Sequence, residues 1–115
     1  MRLLSIFTRK RSVKPEKFQL LQELIAVLKS IKSNIHDDAD CTWSYYESPQ
    51  KAHDEINQYI TELEMGNIDS LPEISVHFSP TSAYQELSLQ NNWSKEYLEL
   101  SSQFDRIQRK LKNCS

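Results

Sequence analysis

Apolar positions recur at helical spacing along most of the chain. Over about residues 16–33 they step by three or four positions, as one buried face of an α-helix requires. The repeating positions are Leu21, Leu24, Leu28, Ile31 and Ile35. A second such segment follows Ser48 and Pro49, which suit the N-cap and the first helical position, and it ends before Gly66. These patterns predict two long amphipathic helices.

The C-terminal segment carries the most regular pattern. Its apolar residues alternate steps of four and three: Trp93, Tyr97, Leu100, Phe104, Ile107 and Leu111. We expect Ser94 to cap this helix, and the basic residues near its end complement the helix dipole. The pattern predicts a third long helix.

The segment between the second and third long helices carries two different signals. Over 73–78 apolar and polar residues alternate with a period of two, which is typical of a strand. Ser79-Pro80 is then a strong helix start, and apolar residues follow it at helical spacing. A second strand over 86–90 could pair with the first, but the helix start fits better. We therefore expect at most a minor β element near 73–78, followed by a short helix.

Composition supports a mainly α fold. The chain of 115 residues contains one glycine, whereas β-sandwiches and barrels need many tight turns that favour glycine. The predicted fold is a small helical bundle of three long helices plus a short one. It forms a single domain over 16–115, preceded by an N-terminal arm over 1–15.

The predicted arm is basic and partly apolar. It holds five bases and no acid, and the bases are Arg2, Arg9, Lys10, Arg11 and Lys14. Outside the arm, the body contains nine of the fourteen basic residues and all sixteen acidic residues, so it carries a net charge of −7. The arm could be a loosely docked terminus, or its apolar residues could pack on the body. Its lack of acids also resembles an organelle transit peptide. Two further alternatives are binding to nucleic acid phosphates and binding to an anionic membrane surface. The acidic body disfavours nucleic acid.

No motif points to catalysis or to a cofactor. A glycine-rich phosphate loop is excluded by the single glycine, and the spacing of the acids and the histidine at 36–41 matches no known metal site. Metal-ligand types cluster at His36–Cys41, where we expect a solvated acidic loop and no metal. There is no secretory signal and no apolar run of membrane-spanning length, so we expect a cytoplasmic protein. The sequence leaves open whether the side chains of Cys41 and Cys114 are in contact.

A sequence pattern in the last two-thirds of the chain resembles one found in small uncharacterised bacterial proteins. It consists of Phe78-Ser79-Pro80-Thr81-Ser82, Gln85-Glu86, Asn92-Trp93 and Phe104-Asp105. In that pattern glycine follows Pro-Thr and precedes the tryptophan, where this chain has Ser82 and Asn92. The resemblance implies no established activity. Small acidic bacterial domains of this kind include immunity proteins that neutralise toxins.

We therefore expect a non-enzymatic protein-binding module, in specific form an inhibitor or immunity-type protein. Its acidic surface would meet a basic partner protein. The candidate contact residues are Asp37, Asp38, Asp40, Trp43, Tyr46, Glu62 and Glu64. The alternatives are a membrane-associated or scaffold protein docked by the arm, and an enzyme with a site near His36, Asp38 and His53. The oligomeric state is left open.

Overall fold

The computed structural model describes residues 15–42 and 44–114, and these residues form five helices. The helices are α1 (Pro15–Asn34), α2 (Pro49–Glu64), α3 (Leu71–His77), α4 (Ala83–Gln90) and α5 (Ser94–Asn113). The described part of the chain is mainly helical, as predicted, and has three long helices and two short ones instead of one. Within the described ranges no residue lies in a β-strand.

The core forms where the three long helices meet. α1 packs against both α2 and α5, while α4 joins α5 to α3. The predicted helical stripes supply the core, because their residues are almost fully buried: Leu24, Leu28, Ile31, Ile56, Phe104 and Ile107. A repeat of three and four residues places these side chains on one face of each helix.

Residues 73–78, predicted as a minor β element, belong to helix α3 and to the residue that caps it. A strand would place Ile74, Val76 and Phe78 on one face. Instead, Ile74 and Phe78 are buried while Val76 is 59% exposed, which is the pattern of a helix turn. Pro72 in the first turn favours this start, since its missing N–H would have no helical partner there. The strand prediction is therefore wrong.

The ends of α2 lie where the sequence predicts them, whereas α5 does not begin at its predicted residue. Ser48 caps α2 by accepting a hydrogen bond from the N–H of Lys51, and Gly66 follows the end with a φ of 80°. The N–H of Gly66 donates to the carbonyl of Leu63, and the following N–H donates to the carbonyl of Glu62, which makes a Schellman motif.

At α5 the predicted cap is wrong by one residue. Trp93 occupies the N-cap position and Ser94 lies inside the helix. The N–H of Tyr97 donates to the carbonyl of Trp93, which begins the helical hydrogen-bond series one residue earlier. Asn92, where the resembling pattern has glycine, has a φ of 66°, in the left-handed region that glycine and asparagine tolerate best.

The side chain of Asn91 joins the loop between α1 and α2 to the end of α4. The N–H of Asp40 donates to Oδ1 of Asn91 at 2.8 Å, and Nδ2 of Asn91 donates to the carbonyl of Asp40 at 2.9 Å. This two-way bond joins the loop to the end of α4, 51 residues away in the chain.

The predicted arm lies outside the described residues except for Pro15, which begins α1. Its five basic residues and their predicted contact with an anionic surface therefore stay a prediction. None of the helices described between residues 15 and 114 is long and apolar enough to cross a bilayer.

Candidate functional site

Two carboxylates and one imidazole converge between α2 and α3. Their possible ligand atoms, from Glu55, Glu73 and His77, all lie within 4.8 Å of one another. Glu73 and His77 are four residues apart on α3, so they share one face of that helix. Nε2 of His77 is 3.0 Å from Oε1 of Glu55 on α2. Among the described residues, this is the one place where three side chains of metal-ligating type meet.

Tyrosine hydroxyls hold both carboxylates in place. The hydroxyl of Tyr46 donates to Oε1 of Glu55 at 2.5 Å, and the hydroxyl of Tyr59 donates to Oε2 of Glu73. Burial raises the pKa of both phenols far above the ordinary value, and the nearby carboxylates raise it further. Both hydroxyls therefore stay protonated and act as donors.

Two polar atoms at this site are buried without a hydrogen bond. They are Nε2 of His77 and the hydroxyl oxygen of Tyr84, on side chains that are 6% and 0% exposed. Nε2 lies at ion-pair distance from Glu55 but is not aligned for a hydrogen bond to it. The rings of His77 and Tyr84 are 5.3 Å apart. Burial, with the charges of Glu55 and Glu73, raises the pKa of Tyr84.

The site opens into a cleft of about 460 Å³ between α3 and α4, which we call the α3–α4 cleft. Its lining residues are Tyr45, Glu73, Val76, His77, Thr81, Ser82, Ala83 and Glu86. Tyr45 and Val76 are 71% and 59% exposed, so an apolar rim surrounds the carboxylates. The cleft falls within the size range of small-ligand sites.

The acidic residues predicted to bind a partner fall into two separate groups. Asp37, Asp38 and Asp40 are exposed on the loop after α1. Glu62 and Glu64 lie near the other end of α2, roughly 14 Å along the helix from His53, which contacts the start of that loop. The five carboxylates therefore do not form one continuous surface.

Local contacts involve two of these predicted residues. Oδ1 of Asp40 accepts hydrogen bonds from the N–H and the hydroxyl of Thr42, and these bonds lower the pKa of Asp40. Glu62 is half-buried and accepts a hydrogen bond from the hydroxyl of Ser70 at 2.6 Å. Asp40 and Glu62 thus take part in holding the loops, while Asp37, Asp38 and Glu64 stay exposed to solvent.

The aromatic residues predicted to flank that surface are placed differently. Tyr46 is 5% exposed and lies in the core, with its hydroxyl on Glu55. Its burial is consistent with the hydrogen bond that its hydroxyl donates to Glu55. Trp43 lies outside the described residues.

The residues of the alternative enzyme site are divided between two pockets. His36 lines both a groove of about 670 Å³ between α1 and α2, which it shares with His53, and a smaller pocket beside α5, which it shares with Asp38. Nε2 of His53 is hydrogen-bonded with the carbonyl of Ile35 at 2.5 Å. No disulfide joins the two cysteines, and Sγ of Cys114 donates to Oε1 of Glu16.

Sequence reasoning missed Glu55, Glu73 and His77 as a group. The strand prediction hid the signal, since Glu73 and His77 form the Glu-x-x-x-His spacing that places two ligands on one helix face. A second signal of this site was the distribution of lysine and arginine along the chain. From Ala52 to Ser94 the chain has seven acidic residues and no lysine or arginine.

Comparison with known proteins found no relative. No protein-family model matches the chain, and no match was found among the curated proteins or the solved structures searched. The pattern at Phe78–Asp105 therefore brings no activity with it.

Proposed function

We propose that the chain is a protein-binding module whose acidic side meets a basic partner protein. The observation that carries this proposal is the uncompensated charge of residues 52–94, here called the acidic half. It comprises most of α2, all of α3 and α4, and the loops between them. Its carboxylates are Asp54, Glu55, Glu62, Glu64, Asp69, Glu73 and Glu86, with no lysine or arginine among them.

The charge distribution favours an oriented encounter. In the described residues the lysines and arginines lie on α1, on α5 and at Lys51. A partner with a basic surface is attracted to the acidic half and repelled from the C-terminal part of α5, where Arg109, Lys110 and Lys112 lie. Such steering raises association rates and discriminates against acidic proteins.

The α3–α4 cleft supplies contact as well as charge. Glu86 lines it beside the exposed side chains of Tyr45 and Val76. A lysine or arginine of the partner could place its aliphatic stem on Val76 and its cation near Glu86, with the face of Tyr45 alongside. Tyrosine and arginine are enriched at protein interfaces, which supports this location.

The specific form we propose is an inhibitor or immunity-type protein. Such a protein acts by covering a functional surface of its partner, so it needs complementarity and no catalytic group. Asp37 and Asp38 are exposed on the loop after α1 and offer a second acidic contact.

The test begins by capturing partners of the full chain from its source cells and identifying them by mass spectrometry. The affinity of the purified partner is then measured for two charge-reversal variants. Asp69→Lys with Glu86→Lys alters the acidic half, and Glu99→Lys with Asp105→Lys makes the same charge change on α5. We expect the first pair to weaken binding by about tenfold or more and the second to change it by less than about twofold.

Three results would contradict the proposal: no stoichiometric partner, a partner with an acidic surface, or equal losses for the two pairs. A third pair, Asp37→Lys with Asp38→Lys, locates the contact. If only this pair weakened binding, the loop would be the interface and the acidic half would not.

A further inference from the structure

We propose that Glu55, Glu73 and His77 bind a divalent transition-metal cation, with Zn²⁺ the best-fitting ion, at the floor of the α3–α4 cleft. This inference goes beyond the proposed function and does not depend on any partner protein. The donor set is one imidazole nitrogen and two carboxylates, drawn from α2 and α3. Three protein ligands are typical of zinc sites that keep a coordination position open.

The spacing of the donor atoms suits a cation after a small adjustment. Bonds of about 2.0–2.2 Å place neighbouring ligand atoms roughly 3–3.6 Å apart. The three donor atoms lie within 4.8 Å of one another, so closure requires shifts of about 1 Å. Glu73 is exposed and can make this shift by side-chain rotation, while the buried His77 is held by the core.

The tyrosines provide the supporting contacts that metal sites need. Ligating carboxylates in proteins are themselves hydrogen-bonded, and these outer contacts orient them. Here Tyr46 donates to Glu55 and Tyr59 donates to Glu73, each from a buried ring. Both carboxylates are therefore oriented before any ion arrives.

The hydrogen bonding of the cluster is incomplete. Nε2 of His77 is buried and lies 3.0 Å from Oε1 of Glu55 as an ion pair but makes no hydrogen bond, and the buried hydroxyl of the neighbouring Tyr84 makes none either. An unsatisfied buried polar atom costs about 1–3 kcal/mol, so native structures rarely keep one without a reason. A cation between the imidazole and the carboxylates would satisfy this nitrogen.

Charge and donor chemistry narrow the choice of ion. No lysine or arginine occurs in the acidic half to neutralise Glu55 and Glu73, so a divalent cation supplies the missing charge. An imidazole with carboxylates suits Zn²⁺ better than Mg²⁺ or Ca²⁺, which prefer oxygen ligands alone. The open coordination position would face the cleft, because Glu73 and His77 both line it.

The experiment is a calorimetric titration of the chelator-treated full chain with Zn²⁺ alone. Both cysteines are replaced by serine in every variant, so that thiols do not contribute to zinc binding. We expect one site per chain, and a loss of affinity of about 100-fold or more for Glu73→Gln and for His77→Asn. Tyr59→Phe should weaken binding by about 10- to 100-fold through the lost orienting bond.

Matched controls make the same chemical changes elsewhere. His53→Asn and Glu99→Gln should bind Zn²⁺ within about twofold of the parent chain, since neither belongs to the donor set or lines the cleft. Bound Co²⁺ gives a second measurement, because loss of His77 should remove or shift its visible absorption. Far-UV circular dichroism checks folding, and Glu73→Gln keeps the test decisive if His77→Asn unfolds, because Glu73 is exposed.

Failure to bind Zn²⁺ at one ion per chain would overturn the proposal. Equal affinity of the parent and Glu73→Gln chains would also overturn it. In either case the cluster is an ion pair of His77 with Glu55 alone. Because no partner protein is present, this outcome leaves the binding-module proposal to its own test.

Discussion

Four of the five tyrosines have phenols whose ionisation the fold suppresses. Burial is the largest cause of the raised pKa at Tyr46, Tyr59, Tyr84 and Tyr97. Neighbouring carboxylates add to it, because a second negative charge is unfavourable beside them. The tyrosine hydroxyls are thus fixed as donors, which is the role that Tyr46 and Tyr59 have at the candidate site.

This arrangement predicts alkaline unfolding. The pKa of each of these phenols is higher in the folded state than the ordinary value near 10, so folding favours the protonated form. Their contribution to stability is complete below pH 10 and is lost as the pH rises above it. We expect tyrosinate absorbance at 295 nm to increase together with loss of far-UV circular dichroism.

The Tyr45→Phe chain provides the control. Tyr45 is 71% exposed, and removing it leaves only the four buried or partly buried phenols in the titration. Ionisation of those four near pH 10 with an unchanged helical spectrum would contradict this account.

At the scale of the element, two serines that look alike in sequence have different roles. Ser48 precedes Pro49 and caps α2 through the N–H of Lys51 at 3.2 Å. Ser94 follows Trp93 and lies within α5, where no side-chain cap bond forms. The difference arises because Trp93 is drawn into the core, which starts the helix one residue earlier.

This difference predicts unequal costs for the same substitution. Ser48→Ala should lower the free energy of unfolding by about 1 kcal/mol, since an orphan N–H of α2 loses its acceptor. Ser94→Ala should change it by less than about 0.5 kcal/mol. Urea denaturation of both variants compares the two values, and equal losses would mean that Ser94 also acts as a cap.

At the scale of the whole molecule, aromatic stacking joins the short helices to the long ones. The ring of Phe78, at the end of α3, stacks on Phe104 of α5 with centroids 4.3 Å apart. The hydroxyl of Tyr97 donates to the carbonyl of Phe78 at 3.1 Å. These contacts hold the end of α3, and so help fix His77, against α5.

Loss of this contact should destabilise the whole fold. Phe104 is fully buried, and Phe104→Ala should cost about 3–5 kcal/mol of unfolding free energy through the cavity it leaves. Leu98→Ala on the same helix should cost less than about 0.5 kcal/mol, because Leu98 is 64% exposed. Similar midpoints for the two variants in guanidinium would show that Phe104 is not central to the core.

The sequence by itself determined the three long helices and their buried faces. A helical repeat depends only on residues three and four positions apart, so it can be recognised along the chain without knowing what packs against it. The same holds for Ser48, Pro49 and Gly66 at the ends of α2, where the requirements are local. At residues 73–78 a short apolar alternation was ambiguous, and only burial showed which residues face inward.

The tertiary structure alone decided the candidate site. Glu55 lies 18 and 22 residues before Glu73 and His77, and their meeting depends on how α2 packs beside α3. Tyr46, predicted as a partner contact, is 5% exposed, and hydrogen bonds with Asn91 join its loop to a distant helix end. Contacts of this kind join residues with no local relation, so their positions follow from packing rather than from periodicity.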